Sequence, residues 1–237
     1  MSRDFHGFWN RSQLGRERIE NSPHFQEAID NRREMWGGRP IITRDAPING
    51  GVFLGGEKRE AIVVDDTREN GKEDYKRARQ SVQETIDAYT RNGYHKKVIQ
   101  LQAIYDVTRR ELPYNKKKVT NFLNNKLGED WGDKKIALEY FIKIHAGVCR
   151  HQVLLAGYLI EYLIKKGDLH GTVSIDRNKI PYFGAHTWIR YTNRKHEVFI
   201  MDPTQGYFGP LEGSEKKGRW IYRRPEDPEP LPADPLR

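Results

Sequence analysis

The sequence has too few of the residues that define several protein classes. Its 237 residues include a single cysteine, Cys149, so an internal disulfide and a thiol-rich zinc site are both ruled out. No apolar run approaches the roughly 18 residues of a transmembrane helix. The N-terminal residues lack the apolar core of a secretory signal. These absences predict a cytoplasmic protein with no membrane partner, and they leave open export by a route that uses no such signal.

The chain is basic, yet it lacks the patterns of a nucleic-acid or metal protein. Its 41 Lys and Arg against 33 Asp and Glu give a net charge of +8. Acidic and basic residues are mixed along most of the chain, and no basic run alternates with aromatics as in a nucleic-acid groove. There is no His-Glu-x-x-His motif or other cluster at ligand spacing. We therefore interpret the charge as a solvated surface and expect no nucleic acid, metal or cofactor.

Composition divides the chain into three parts: an extension over 1–70, a core over 71–222 and a tail over 223–237. The extension predicts a helix that begins near Ser22-Pro23 and ends at Gly37-Gly38, then a small β meander or flap over 39–66. The tail holds five of the 12 prolines and predicts a poorly ordered linker.

The core predicts an α+β fold, in which helices precede strands. Helical periodicity covers 72–92, 95–111, 117–126 and 133–145. A strongly apolar helix then opens at Cys149 and ends at Gly167. Short β-prone runs follow at 172–175, 186–191 and 198–202, and the polar turn 192–195 makes the last two a hairpin.

Three residues at the ends of these elements suit thiol chemistry. Cys149 stands where a Gly-containing turn meets a helix, and a helix N-terminus favours a thiolate. His186 begins one arm of the predicted hairpin and Asp202 ends the other, so we expect them to face each other. A histidine can take the thiol proton, and a carboxylate can hold its ring in the required tautomer. Taken singly, each is also typical of a buried thiol, a surface histidine or a turn-forming aspartate.

The segments GVCRHQVLLAGYLIEYL, GAHTWIRY and VFIMDPTQGYFG resemble the transglutaminase-like superfamily of papain-related thiol enzymes. The shared features are a Gly-x-Cys that opens a helix, a strand with His-x-Trp and an Asp that ends the next strand. The upstream IYDVTRRELPYN is similar to the helix and Pro-Tyr stop of many members. The resemblance covers roughly 75–210.

The resemblance implies a papain-like core with Cys149 as nucleophile, His186 as general base and then acid, and Asp202 as the orienting carboxylate. The backbone N–H of Cys149 would stabilise the oxyanion, with Tyr114 as a candidate second donor and Trp131 as a weaker one. A role for Tyr114 in packing is as compatible with the sequence as a role as oxyanion donor. Arg150 and His151, next to the nucleophile, either tune the thiolate, contact substrate or face solvent.

The expected activity is acyl transfer from a carboxamide through a Cys149 thioester. The favoured donor is a glutamine side chain of a protein or peptide, with an amine (transglutamination) or water (deamidation) as acceptor. A cysteine peptidase or amidase of the same fold is the enzymatic alternative. A binding module without catalysis is the non-enzymatic one, against which the intact triad argues. The modular appearance also suggests a bacterial effector domain.

Overall fold

A computed structural model describes residues 19–28, 33–56, 58–93, 98–180, 184–214 and 220–228 of the chain. Within these ranges the protein is mixed α+β, with antiparallel sheets and five helices, as the sequence predicts at the level of fold class. The helices are α1 (Lys72–Arg91), α2 (Ile99–Glu111), α3 (Lys116–Leu127), α4 (Glu139–Lys143) and α5 (Cys149–Lys166). The strands are β1 (Phe25–Ala28), β2 (Arg33–Trp36), β3 (Arg39–Pro40), β4 (Val52–Leu54), β5 (Ala61–Val63), β6 (Lys135–Ala137), β7 (Gly171–Ile180), β8 (Gly184–Asn193), β9 (Val198–Asp202) and β10 (Tyr207–Pro210).

Helix α5 lies at the centre of the main core. Every residue from His151 to Ile160 is buried, as expected for a helix that is apolar on most of its faces. Gly157 packs so closely on its neighbours that a Cβ there would lie 2.6 Å from Ile48 Cδ1 and 3.1 Å from Ile189 Cδ1 on β8. The helix ends at Gly167, which has the left-handed φ of +85° common at C-termini. No helix in the described ranges combines the length and apolar character needed to cross a membrane.

The largest sheet has the strand order β10-β9-β8-β7, with every neighbouring pair antiparallel. One face packs on α5 through residues such as Ile175 and Ile189. The opposite face buries Trp188 and Ile200 in a smaller cluster. The three predicted strands are confirmed, and β10 was not predicted.

The predicted N-terminal helix is wrong over its described part. Strands β1 and β2 form an antiparallel pair in which Phe25 lies opposite Trp36. Gly37 and Gly38 then turn the chain into β3 with φ of +53° and +80°. Two consecutive residues with positive φ are typical of a tight hairpin turn, so the glycines that we interpreted as a helix end connect two strands.

A second small sheet joins the extension to the core. Strands β4 and β5 are antiparallel, in agreement with the predicted meander, but β5 also pairs with β6 in parallel. The helix predicted over 133–145 is therefore wrong at its start, where β6 replaces it, and α4 is only 5 residues long. Near the start of the predicted meander, Ile41 forms an isolated parallel bridge with Val52.

The described part of the tail differs from the expected disordered linker. Arg224 is hydrogen bonded to Asp176 on β7, with its Nε 2.8 Å from Oδ2. Asp227 accepts a 2.8 Å hydrogen bond from Nη1 of Arg190 on β8, and both side chains are more than nine-tenths buried. Paired buried charges hold the segment 220–228 against the face of the sheet that is turned away from α5. The residues beyond 228 lie outside the described ranges.

Candidate active site

Cys149 is the first residue of α5 and is partly exposed. Val148 before it is extended, with φ −126° and ψ −179°, so the chain enters the helix at the cysteine. The N–H groups of a helix's first turn have no intrahelical acceptor, and the helix dipole favours negative charge there. The thiol therefore stands beside backbone N–H groups that can donate to a negatively charged oxygen.

A buried polar group fixes the start of this helix. Nδ1 of His151 accepts a 3.1 Å hydrogen bond from the backbone N–H of Val148, which leaves Nε2 to donate to Glu60 Oε1 at 2.9 Å. The same oxygen accepts from Nε of Arg150 at 2.6 Å. His151 and Glu60 are both fully buried. His151 thus stabilises the start of the helix, and its side chain is in contact with neither solvent nor the cleft.

The pKa values of this pair agree with that arrangement. Burial, followed by the charge of Arg150, lowers the pKa of His151 to about 4. Burial favours the neutral acid of Glu60, but hydrogen bonding to His151 and the charge of Arg150 lower its pKa to about 2. At neutral pH the group consists of a neutral imidazole, a carboxylate and a guanidinium.

His186 and Asp202 form a short buried contact, with Nε2 2.6 Å from Oδ2. Strands β8 and β9 are in a register that pairs Ile189 with Met201. Continued by one position, this register puts Asp202 opposite Trp188, so His186 contacts it on the diagonal. The prediction that the two residues stand directly opposite is therefore wrong by two positions, although diagonal neighbours are still within reach of each other.

Cys149 and His186 are hydrogen bonded, and both line the same cleft. Because Nε2 is occupied by Asp202, Nδ1 is the ring nitrogen left for the sulfur. Burial opposes the charged imidazole, but hydrogen bonds to Asp202 and Cys149 outweigh it and raise the pKa of His186 to about 9. The arrangement therefore favours an imidazolium between Asp202 and the sulfur of Cys149.

Tyr114 is held beside Cys149 by backbone contacts. It forms a parallel bridge with Gly147, and the N–H of Gly147 donates to the carbonyl of Pro113 at 3.0 Å. Its side chain is 54% exposed and lines the cleft. It is thus free to contact a substrate, and the packing alternative is disfavoured.

The cleft that contains Cys149 has a volume of about 410 Å³. The β4–β5 connection lines one side through Gly55, Gly56 and Arg59, which places part of the predicted flap at the site. Trp131 and Arg150 are also in its walls. This volume lies within the range of small-molecule sites and admits a side chain with its neighbours.

Sequence reasoning missed the residues that support the triad from behind. Tyr222 donates a 2.9 Å hydrogen bond to Asp202 Oδ2, and the indole of Trp220 meets the His186 ring edge-on at 5.0 Å. Gln152 accepts from Thr204 Oγ1 at 2.6 Å, which ties α5 to the loop after Asp202. No spacing rule finds these partners, because each contact depends on the tertiary fold.

The described ranges contain no group of three or more His, Cys, Asp or Glu side chains arranged to hold a metal ion. Comparisons of the chain with protein-family models, with curated proteins and with solved structures found no match.

Proposed function

We propose that the protein is a cysteine acyl-transfer enzyme of papain-like architecture that attacks a carboxamide, most simply a glutamine side chain of a protein or peptide. The observation that carries the proposal is the chain of contacts from Cys149 through His186 to Asp202 at one end of an open cleft. A nucleophile, a base within hydrogen-bond reach and a group that orients the base are the parts that such catalysis needs.

In the first half-reaction the sulfur of Cys149 attacks the carbonyl carbon, and a C–S bond forms. The carbonyl oxygen becomes an oxyanion, which the N–H of Cys149 and the hydroxyl of Tyr114 would stabilise. As the C–N bond breaks, His186 gives its proton to the leaving nitrogen, and ammonia departs. The product of this step is a thioester on Cys149.

In the second half-reaction the acceptor attacks the thioester carbon while His186 removes its proton. An amine acceptor gives a new amide and regenerates the thiol, whereas water gives a glutamate side chain. Asp202 supports both steps, since it holds Nε2 and balances the imidazolium charge. Glutamine deamidation and transglutamination thus use the same three side chains.

The test is ammonia release from a glutamine-containing protein such as casein, with and without a primary amine reporter, followed by mass spectrometry of the substrate. We expect ammonia release, and either incorporation of the reporter or deamidation. The Cys149→Ala and His186→Ala variants should abolish the release. Cleavage of the casein backbone instead would identify a peptidase. A wild-type thiol that forms no thioester and resists alkylation would overturn the proposal in favour of a binding module.

A further inference from the structure

The walls of the cleft beside Cys149 carry positive charge with no acidic side chain among the lining residues that the structure describes. Four of those residues are basic, namely Arg59, Lys116, Arg150 and Arg177. The sequence as a whole mixes the two signs of charge, with 33 acidic residues against 41 basic ones. A cleft lined by one sign therefore differs from the rest of the chain.

The four basic groups do not contribute equally. The charge of Arg150 is offset by its contact with the buried carboxylate of Glu60 at 2.6 Å. Arg59 and Lys116 are exposed, and neither forms an ion pair with a residue in the described ranges. Arg59 instead lies over the ring of Trp131, with its guanidinium carbon 5.7 Å from the centroid. These two cations are thus available to a ligand.

Arg177 is the fourth basic residue in the lining of the cleft. Its Nη1 donates to the carbonyl of Leu54 at 2.8 Å, which holds the guanidinium near the β4 end of the cleft. His186 adds a further positive charge at the reacting end when it is protonated. A cleft with charges of one sign concentrates field lines and attracts ligands of the opposite sign.

We propose that the cleft selects an acyl donor whose reacting glutamine is flanked by acidic residues, so that the substrate is a carboxylate-bearing peptide segment. Guanidinium groups bind carboxylates through paired hydrogen bonds, and a lysine ammonium adds a less directional charge. This inference rests on the proposed function, because it concerns the substrate of the same thiol.

Two alkylating agents that differ in charge test the electrostatic part. Iodoacetate is anionic and iodoacetamide is neutral, while both react with the same sulfur. We define the ratio as the iodoacetate rate divided by the iodoacetamide rate. This ratio should fall about twofold to threefold in Arg59→Gln and in Lys116→Gln, as expected for one exposed charge several ångströms away in a water-filled cleft. The ratio should also fall when salt is raised from about 0.05 M to 0.5 M.

The matched control is Lys117→Gln, which removes the same charge from the neighbouring position of α3, outside the cleft lining. This variant should leave the ratio unchanged. An equal effect of all three substitutions, or none from Arg59→Gln and Lys116→Gln, would overturn the inference while leaving the thiol reactive. Failure of Cys149 to react with either reagent would overturn the proposed function itself.

Two peptides of equal length then test whether acidic residues beside the glutamine are recognised by the cleft. One has glutamate on both sides of a central glutamine, and the other has lysine at the same positions. We expect the acidic peptide to protect Cys149 from iodoacetamide at lower concentration, and to lose this advantage in the Arg59→Gln/Lys116→Gln double variant. Equal protection by the two peptides would overturn the assignment.

Discussion

Tyr222 donates a hydrogen bond to the same oxygen of Asp202 that contacts His186, at 2.9 Å and 2.6 Å respectively. The backbone N–H of Gln205 donates to the other oxygen at 3.0 Å. Asp202 is fully buried, so these donors replace the water that would otherwise surround a carboxylate. Asp202 is therefore itself held in place from two sides.

Replacing Tyr222 by Phe should lower the free energy of unfolding by about 1–2 kcal/mol, because a buried carboxylate loses a donor. It should also raise the pKa of His186, since the negative charge of Asp202 is then shared with fewer partners. Urea unfolding and NMR titration of the imidazole measure the two effects. Tyr207→Phe is the control, because that hydroxyl donates to the exposed carbonyl of Pro210. A pKa of His186 that does not move would contradict this account of Asp202.

Replacing Asp202 by Asn should slow turnover by about a hundredfold to ten-thousandfold. The new amide donates to Nε2 of His186, so the ring proton moves to Nδ1 and blocks transfer from the sulfur of Cys149. The rate of alkylation by iodoacetamide at pH 7 follows the change without a known substrate. Asp168→Asn, at an exposed ion pair with Lys166, should leave the rate unchanged. Similar alkylation rates for the two variants would show that Asp202 does not affect the reactivity of Cys149.

Replacing Glu60 by Gln should destabilise the protein by about 3 kcal/mol, because Arg150 loses the partner of a largely buried charge. The loss should be smaller when Arg150 is replaced by Met in the same chain, and urea unfolding of the four proteins measures this coupling. Glu69→Gln provides the exposed counterpart, since its 2.6 Å contact with Lys72 lies in solvent and contributes about 0.5 kcal/mol or less. Strictly additive losses would show that the two side chains act independently.

The opposite pKa shifts of two buried histidines predict stability that falls on both sides of pH 6.5. His151 has a pKa of about 4 in the folded protein. Below pH 6.5 its imidazole is therefore protonated in the unfolded chain but still neutral in the folded one, so acid destabilises the fold. His186 has a pKa of about 9, so its contribution is complete below pH 6.5 and is lost as the pH rises towards 9.

Unfolding free energies measured between pH 4 and pH 9 test this expectation. His151→Gln should flatten the acid side of the profile, and His186→Gln should flatten the alkaline side. Each variant should leave the other side in place, because the two rings belong to separate contacts. An acid slope that is unchanged in His151→Gln would show that other groups control the response.

The sequence predicts the parts of the fold that local pattern determines. Helix α5 is foreseeable because its apolar run is long and bounded by Gly147 and Gly167. Strands β8 and β9 are foreseeable because β-prone residues flank a polar turn. Their register is not, because the turn lies over 194–196 instead of the predicted 192–195, and the N–H of Asn193 closes it by donating to the carbonyl of Glu197 at 3.0 Å. This shift of the turn along the chain moves Asp202 to the diagonal of His186.

The missed features depend on contacts that span long stretches of chain. Glu60 is separated by 90 residues from Arg150, and nothing near it in the sequence marks it as buried. The segment that contains Trp36 forms strands because that ring has a place in a small apolar cluster beside the β4–β5 pair. Helix propensity over 23–36 is too weak to compete with that burial.

The segment 220–228 follows the triad in the chain but lies behind it in the fold, where Asp227 pairs with Arg190 and Tyr222 reaches Asp202. A polypeptide cut after residue 214 would keep Cys149, His186 and Asp202, yet expose Asp202 to water and leave Arg190 without the carboxylate of Asp227. During synthesis, the donor that Tyr222 supplies to Asp202 therefore arrives only after Cys149, His186 and Asp202 have all been made. The last stretch of described chain completes the surroundings of a contact whose three members precede it.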